Sequence, residues 1–223
     1  MLFYSPTEHV RAGGARALRG VIMPRAAIIN YGVGNLFSIK RSLERAGFNV
    51  IMSSDKRSLS GIDAIVLPGV GNFGAGAENI RRLKDDLLEL IREGIPVLCV
   101  CLGMQLLFKE SEESSGEGLS ILSGKVIKLP SSVRIPHMGW NTLKDIKPVD
   151  ILDSIGEKDY FYFAHSYYAV PVNEDIIAAK TEYGVKFASV IAQKNIFGVQ
   201  FHPEKSGKPG EKLIKNFMEI VKG

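Results

Sequence analysis

Cys101 closes an apolar run, Val97-Leu98-Cys99-Val100-Cys101, and the chain continues as Leu102-Gly103-Met104 into the helix-like Gln105-Leu106-Leu107-Phe108. A strand that turns sharply at a nucleophile and leaves as a helix is a nucleophile elbow. The turn is strained, so the residues two before and two after the nucleophile have to be small. Cys99 and Gly103 stand there. This layout would set the thiol at a helix N-terminus, where the dipole and free N–H groups favour a thiolate. It would also aim the Leu102 backbone N–H at a developing oxyanion. The alternative is a buried structural cysteine on a core strand, the common state of free thiols.

Far downstream, Gly198-Val199-Gln200-Phe201-His202-Pro203-Glu204-Lys205-Ser206 places His202 and Glu204 two positions apart. In extended backbone, residues i and i+2 share a face, and Pro203 biases His202 toward that backbone. Glu204 is therefore expected to orient the His202 imidazole, and His202 to take the Cys101 proton. Nucleophile, base and orienter are the parts of an acyl-transfer triad. The alternative is a solvent-exposed loop histidine beside a chance glutamate.

The elements that must position these groups alternate. Arg25 to Asn30 reads as a strand and Ser38 to Ala46 as a helix, stopped by Gly47; Asn49 to Met52 and Ala64 to Leu67 follow as strands. A helical pattern from about Ala77 to Glu93 leads to the strand Pro96 to Cys99 and the elbow. Such alternation predicts an α/β fold with a mostly parallel central sheet flanked by helices, flavodoxin-like. The second half is strand-rich: Lys125 to Leu129, Tyr160 to Phe163, Ile176 to Thr181, Phe187 to Ala192 and Ile196 to Gln200 precede a closing helix, Gly210 to Val221. Ser111 to Gly118 is an acidic, Ser/Gly-rich loop.

Composition narrows the classes. The 223 residues, 45% hydrophobic and 23% charged, suit one soluble globular domain. A net charge of +4 without a dense Lys/Arg block leaves no nucleic-acid footprint. No apolar run approaches the roughly 18–20 residues of a membrane span. The two cysteines, Cys99 and Cys101, are too close for an ordinary disulfide framework and fit a reducing compartment, the cytoplasm. Cys-x-Cys lacks a second ligand pair, so no metal or other cofactor is expected. Residues 1–22 carry Arg11, Arg16 and Arg19 against Glu8. A transit peptide would have that bias, but a flexible extension or a mis-assigned start is preferred, leaving 23–223 as the catalytic domain.

Gly69-x-Gly71-x-x-Gly74 matches a dinucleotide fingerprint, yet it follows the third strand and no acidic residue ends a strand about 20 positions on. It is better read as a glycine loop whose N–H groups face an anion or oxyanion. Gly32-x-Gly34 lacks the third glycine and reads as a tight turn. His137 and His165 accompany His9 as the remaining histidines. The bland reading of His165, at an aromatic strand end, is a packed, hydrogen-bonded side chain; that of Trp140 is core or interface.

Over about residues 24–222 the chain resembles the class I (triad) glutamine amidotransferases. The stretches that carry the resemblance are Asn30-Tyr31-Gly32-Val33-Gly34-Asn35, Leu67-Pro68-Gly69-Val70-Gly71, Cys101-Leu102-Gly103-Met104-Gln105-Leu106-Leu107, Pro136-His137-Met138-Gly139-Trp140-Asn141, His165-Ser166-Tyr167 and Phe201-His202-Pro203-Glu204-Lys205-Ser206. Pro-Gly-Val-Gly together with His-Met-Gly-Trp-Asn is similar to one branch, the glutaminase subunits of imidazole glycerol phosphate synthases. The resemblance implies Cys101, His202 and Glu204 as the catalytic triad for L-glutamine. It implies an oxyanion hole from the Leu102 N–H and the Gly69-Val70-Gly71 loop, and a substrate wall of Gly71, Gln105, His165, Ser166 and Tyr167. It further implies a (β/α)8-barrel cyclase as heterodimer partner in histidine biosynthesis, to which ammonia is channelled, docked near Trp140, Tyr162 and Lys205. The glutaminase of another ammonia-channelling synthase, a cysteine hydrolase of peptides or esters, and a non-enzymatic flavodoxin-like module remain as alternatives. Where the family has glycine two before the nucleophile, this chain has Cys99.

Overall fold

The computed structural model describes residues 23–34 and 36–223; the expectations for residues 1–22, His9 included, lie outside the described residues. Strands β1 (Arg25–Ile29), β3 (Ala64–Leu67) and β4 (Val97–Val100) are almost wholly apolar, the pattern of a sheet covered on both faces. Their side chains alternate between two cores. Ala26, Ile28, Val66, Leu98 and Val100 face one, and Ala27, Ile29, Ile65, Leu67 and Cys99 the other.

With β2 (Asn49–Ser53), β9 (Ile177–Glu182), β10 (Lys186–Gln193) and β11 (Ile196–Val199), these strands form a seven-stranded sheet in the order β2-β1-β3-β4-β11-β10-β9. Pairing is parallel from β2 through β11 and antiparallel only at the β11-β10-β9 edge. Helices α1 (Leu36–Ala46) and α5 (Gly207–Lys222) cover the first core through Ile39, Leu43, Leu213 and Phe217. Helices α2 (Phe73–Ile80), α3 (Lys84–Arg92) and α4 (Leu102–Gln105) cover the second through Phe73, Ala77, Leu87 and Met104. Two small antiparallel pairs complete the second half: β5 (Gly124–Lys128) with β8 (Tyr167–Pro171), and β6 (His137–Thr142) with β7 (Tyr160–His165). No helix among the described residues is long and apolar enough to cross a membrane.

Three local expectations change. The helix expected from Ala77 begins at Phe73, because the Asn72 side chain caps it by accepting from the Ala75 N–H at 3.1 Å. It is broken by a 3₁₀ turn at Arg81–Leu83. Gly74, the last glycine of the fingerprint match, serves packing, since a Cβ there would run into the Ser115 carbonyl. Strands β6 and β8 are absent from the sequence reading. β6 hides its pattern behind Gly139, at φ +135°, and exposes Met138 and Trp140.

One register decides the site. β4 and β11 are parallel neighbours with Val100 opposite Val199, so the segments leaving their carboxyl ends emerge side by side, where open α/β sheets place their sites. The Cys101 N–H donates to the Val199 carbonyl at 2.8 Å.

Candidate active site

Cys101 follows β4 at φ 54° and ψ −107°, a left-handed conformation costly for a residue with a Cβ and sustained only where the surroundings over-determine it. Gly103 allows it: a Cβ there would strike the Leu67 carbonyl oxygen. Gly198 on the neighbouring β11 leaves room for Met104, whose Cγ would lie 2.9 Å from a Cβ at that position. Cys99 is fully buried, and burial pushes its thiol far up, so it remains protonated. The helix after the elbow is the single turn α4, ending at Gln105 instead of running on through Phe108. It contributes little dipole to the sulfur, so nearby side chains have to supply the stabilisation.

His202 is buried, and its Nδ1 lies 2.9 Å from Glu204 Oε1. The local route differs from simple strand alternation. His202 is extended (φ −102°, ψ 95°), but Pro203–Lys205 form a 3₁₀ turn that swings the carboxylate back onto the ring. Pro203 suits the first position of such a turn because its missing N–H would be unpaired there. The turn is clamped to β7: the His202 N–H donates to the Tyr162 carbonyl at 2.8 Å, the Tyr162 N–H to Ser206 Oγ at 3.0 Å, and Ser206 Oγ to the His202 carbonyl at 2.6 Å.

The second ring nitrogen of His202 and the second oxygen of Glu204 are buried and have no hydrogen-bond partner within ordinary limits. Burial opposes a charge on His202, but hydrogen bonding and charge from Cys101 and Glu204 outweigh it and push the imidazole up to about 10. Nε2 makes no hydrogen bond to the Cys101 sulfur within ordinary limits, although that sulfur is among the groups that raise the imidazole. Catalytic contacts are often loose before substrate arrives. The Cys101 sulfur also lies 3.9 Å from the Ala164 carbonyl oxygen and 3.6 Å from Gln200 Nε2.

Val70 and Gly71 of the glycine loop border the same cleft as Cys101, and the Leu102 donor is engaged by that loop. The Leu102 N–H donates to the Gly69 carbonyl at 3.3 Å, so this amide cannot serve an oxyanion until that carbonyl turns away. The Tyr31 hydroxyl donates to the Pro68 carbonyl at 2.6 Å, and a Cβ at Gly69 would collide with it. Val70 is half-exposed and Gly71 sits at φ +119°.

A cleft of about 190 Å³ opens beside Cys101, and Val70, Gly71, Leu102, Gln105, His165, Ser166 and Tyr167 line it. Gly69 lies behind this wall, against Leu102 and Tyr31. Gln105 Nε2 donates to the Tyr167 carbonyl at 2.9 Å and to Gln200 Oε1 at 3.1 Å. Both amide hydrogens are committed, so its oxygen is what remains for a ligand. His165 is a packed, hydrogen-bonded side chain at the cleft wall. Its Nδ1 bonds the Tyr167 carbonyl at 2.9 Å and its Nε2 meets His137 Nδ1 at 3.0 Å. Burial lowers His137 to about 4 and His165 to about 3, so both rings are neutral.

Trp140, Tyr162 and Lys205 form one surface column. The Trp140 and Tyr162 rings are 5.9 Å apart across the β6–β7 pair, and Lys205 Nζ lies 5.7 Å from the centre of the Tyr162 ring. The sequence reading missed Glu113, Pro136, Met138 and Ala164, which also line the cleft, and Gln200. For the first four no local signal exists. Gln200 had one, since it stands two residues before His202 and so shares its face.

A family model described as glutamine amidotransferase class-I matches residues 27–221. A Pyrococcus furiosus protein named imidazole glycerol phosphate synthase subunit HisH is 50% identical over 200 residues, covering 89% of this chain and 100% of that protein. A protein of the same name from Methanocaldococcus jannaschii is 48% identical over 195 residues, covering 87% of this chain and 98% of that one. Among solved structures, PurLQS from Thermotoga maritima superposes with a TM-score of 0.73 at 20% identity, covering 90% of this chain and 100% of the matched chain; that likeness concerns the fold.

Proposed function

The chain belongs to the class I glutamine amidotransferases, and from that premise we propose that it is the glutaminase subunit of an imidazole glycerol phosphate synthase. The observation that carries the chemistry is the convergence of Cys101, His202 and Glu204 at the paired ends of β4 and β11, with His202 Nδ1 2.9 Å from Glu204 Oε1. The extent and identity of the match to the named relatives support this synthase over another ammonia-channelling one. The small cleft supports a single amino acid over a peptide substrate.

The Cys101 thiolate attacks the side-chain carbonyl carbon of L-glutamine. A C–S bond forms and the carbonyl electrons move onto oxygen. Gly69-Val70-Gly71 and Leu102 hold that oxyanion once the Gly69 carbonyl has left the Leu102 N–H. The His202 imidazolium, held by Glu204, gives its proton to the amide nitrogen; the C–N bond breaks and ammonia departs. Water, deprotonated by His202, then attacks the thioester, and glutamate leaves as the thiolate re-forms. The Gln105 oxygen accepts from the substrate α-ammonium, and Gly71, His165, Ser166 and Tyr167 bound that end. The column of Trp140, Tyr162 and Lys205, with the exposed Met138 beside it, docks a (β/α)8-barrel cyclase that receives the ammonia. Free thiols at Cys99 and Cys101 suit the cytoplasm.

The test is ammonia release from glutamine, followed with and without a cyclase subunit and its nucleotide ligand. Stimulation by orders of magnitude is expected; an acyl substrate other than glutamine turned over faster would overturn the assignment.

A further inference from the structure

Gln200 is fully buried, and burying a primary amide is costly unless its polar atoms are used. The direction of its hydrogen bonds follows from its neighbours. The Tyr167 carbonyl can only accept, so the Gln105 atom 2.9 Å from it is the nitrogen. That same nitrogen lies 3.1 Å from Gln200, so the Gln200 atom facing it is the oxygen. The remaining end of the amide, 3.6 Å from Cys101 Sγ, is therefore an NH₂ donor.

The sulfur has need of a donor. As a thiol it points at the Ala164 carbonyl oxygen, 3.9 Å away. Once the proton is gone, that contact turns repulsive. α4 is one turn long, and the Leu102 N–H is bound to Gly69. Apart from His202, Gln200 Nε2 is the hydrogen-bond donor in reach of the sulfur among the described residues.

We propose that Gln200 is a further catalytic residue: its Nε2–H bonds the reacting Cys101 sulfur, holds it turned toward the cleft and favours its anionic form. The amide is itself locked. Gln105 occupies its oxygen, and Gln105 is fixed by the Tyr167 carbonyl, which His165 Nδ1 also approaches at 2.9 Å. The donor is thus set in place before substrate arrives, as preorganised stabilisation requires. The ionisable groups around the sulfur are His202, backed by Glu204, and Tyr31 on the glycine-loop side, with His165 farther along β7 and Cys99 on the other face of the sheet.

The inference rests on Cys101 as the nucleophile of the proposed glutaminase, but its test reads the sulfur directly. Gln200→Met keeps the bulk and removes both polar atoms; Gln200→Glu keeps the acceptor for Gln105 and puts an oxygen toward the sulfur. Alkylation of Cys101 by iodoacetamide is followed by peptide mass spectrometry across pH, beside steady-state kinetics in the complex with its cyclase. In Gln200→Met, alkylation at pH 7 is expected to slow about tenfold, with the deficit closing at alkaline pH. kcat should fall by at least the same factor, while KM for glutamine changes little. Gln200→Glu should slow alkylation further. Wild-type alkylation in both variants would overturn the proposal, as would a change confined to KM, which would make Gln200 a prop for Gln105. Loss of the fold in both variants would overturn it in favour of a purely structural amide. If alkylation behaves as expected in a protein that releases no ammonia from glutamine, the proposed function fails and the role of Gln200 stands.

Discussion

The backbone N–H of Leu102 and the carbonyl oxygen of Gly69 are hydrogen-bonded at 3.3 Å, so the donor that an oxyanion would use is held by the loop that should help it. One missing oxyanion donor costs about 10²–10³ in turnover. The isolated chain is therefore expected to release ammonia at least about a hundredfold more slowly than the chain with its cyclase and nucleotide ligand bound. Stopped-time glutamate assays check this, and equal rates would mean the loop needs no rearrangement.

Cys101→Ala should abolish glutamine turnover and leave glutamine binding intact, because the cleft wall of Gln105, His165 and Tyr167 keeps its hydrogen bonds without the sulfur. Calorimetric titration of glutamine into the variant is the measurement. Lost binding would show that the sulfur belongs to the recognition surface.

Glu204→Gln removes the carboxylate whose hydrogen bond and charge help to raise the His202 imidazole. With the imidazole pushed up to about 10, the proposed acid for departing ammonia should be lost only at alkaline pH. Without the carboxylate, that alkaline loss of activity should begin at lower pH. Turnover at pH 8 should fall at least about tenfold, less than the roughly 10²–10⁴ that losing the acid–base group outright would cost. A pH–rate profile of the variant in complex with the cyclase decides it.

His137 and His165 have the opposite sign. Burial lowers them to about 4 and about 3 from 6.5. The unfolded chain therefore takes up protons first as pH falls below 6.5, and their share of the stability, full above that pH, is lost on the way down to about 4 for His137 and about 3 for His165. His137→Phe keeps the stack on Phe163 and Tyr183 but leaves the His165 ring nitrogen without its partner. The variant should be about 1–3 kcal/mol less stable at pH 7 and should lose less stability than the wild type between pH 7 and pH 4.5. Urea unfolding at both pH values tests the pair of statements.

Trp140→Ala and Lys205→Ala should weaken coupled synthesis more than glutaminase chemistry, since Trp140 meets the Tyr162 ring edge-on and Lys205 Nζ lies over it at the surface, while the His202 and Glu204 side chains are only 2% and 7% exposed. Affinity for the cyclase and the ratio of ammonia incorporated to glutamate formed are the readouts. Unchanged values in both variants would move the docking surface elsewhere.

The sequence by itself determined which groups can react. A small-residue turn around Cys101 and a proline beside His202 are local constraints, carried by a handful of adjacent residues, and the alternating apolar runs of β1, β3 and β4 are equally local. The register between β4 and β11 is not local. Only the folded sheet sets Val100 against Val199, and that pairing brings Gln200 to the sulfur and the segment carrying His202 out beside it. Strand β6, interrupted by Gly139, acquires its identity from β7 and not from its own pattern. The bond from Leu102 to Gly69 and the chain from His137 through His165 to the Tyr167 carbonyl join segments whose residue types would allow many partners. Which partner a buried donor takes is decided by distance and direction in the packed protein, because each such group must be satisfied by whatever the tertiary structure brings within reach.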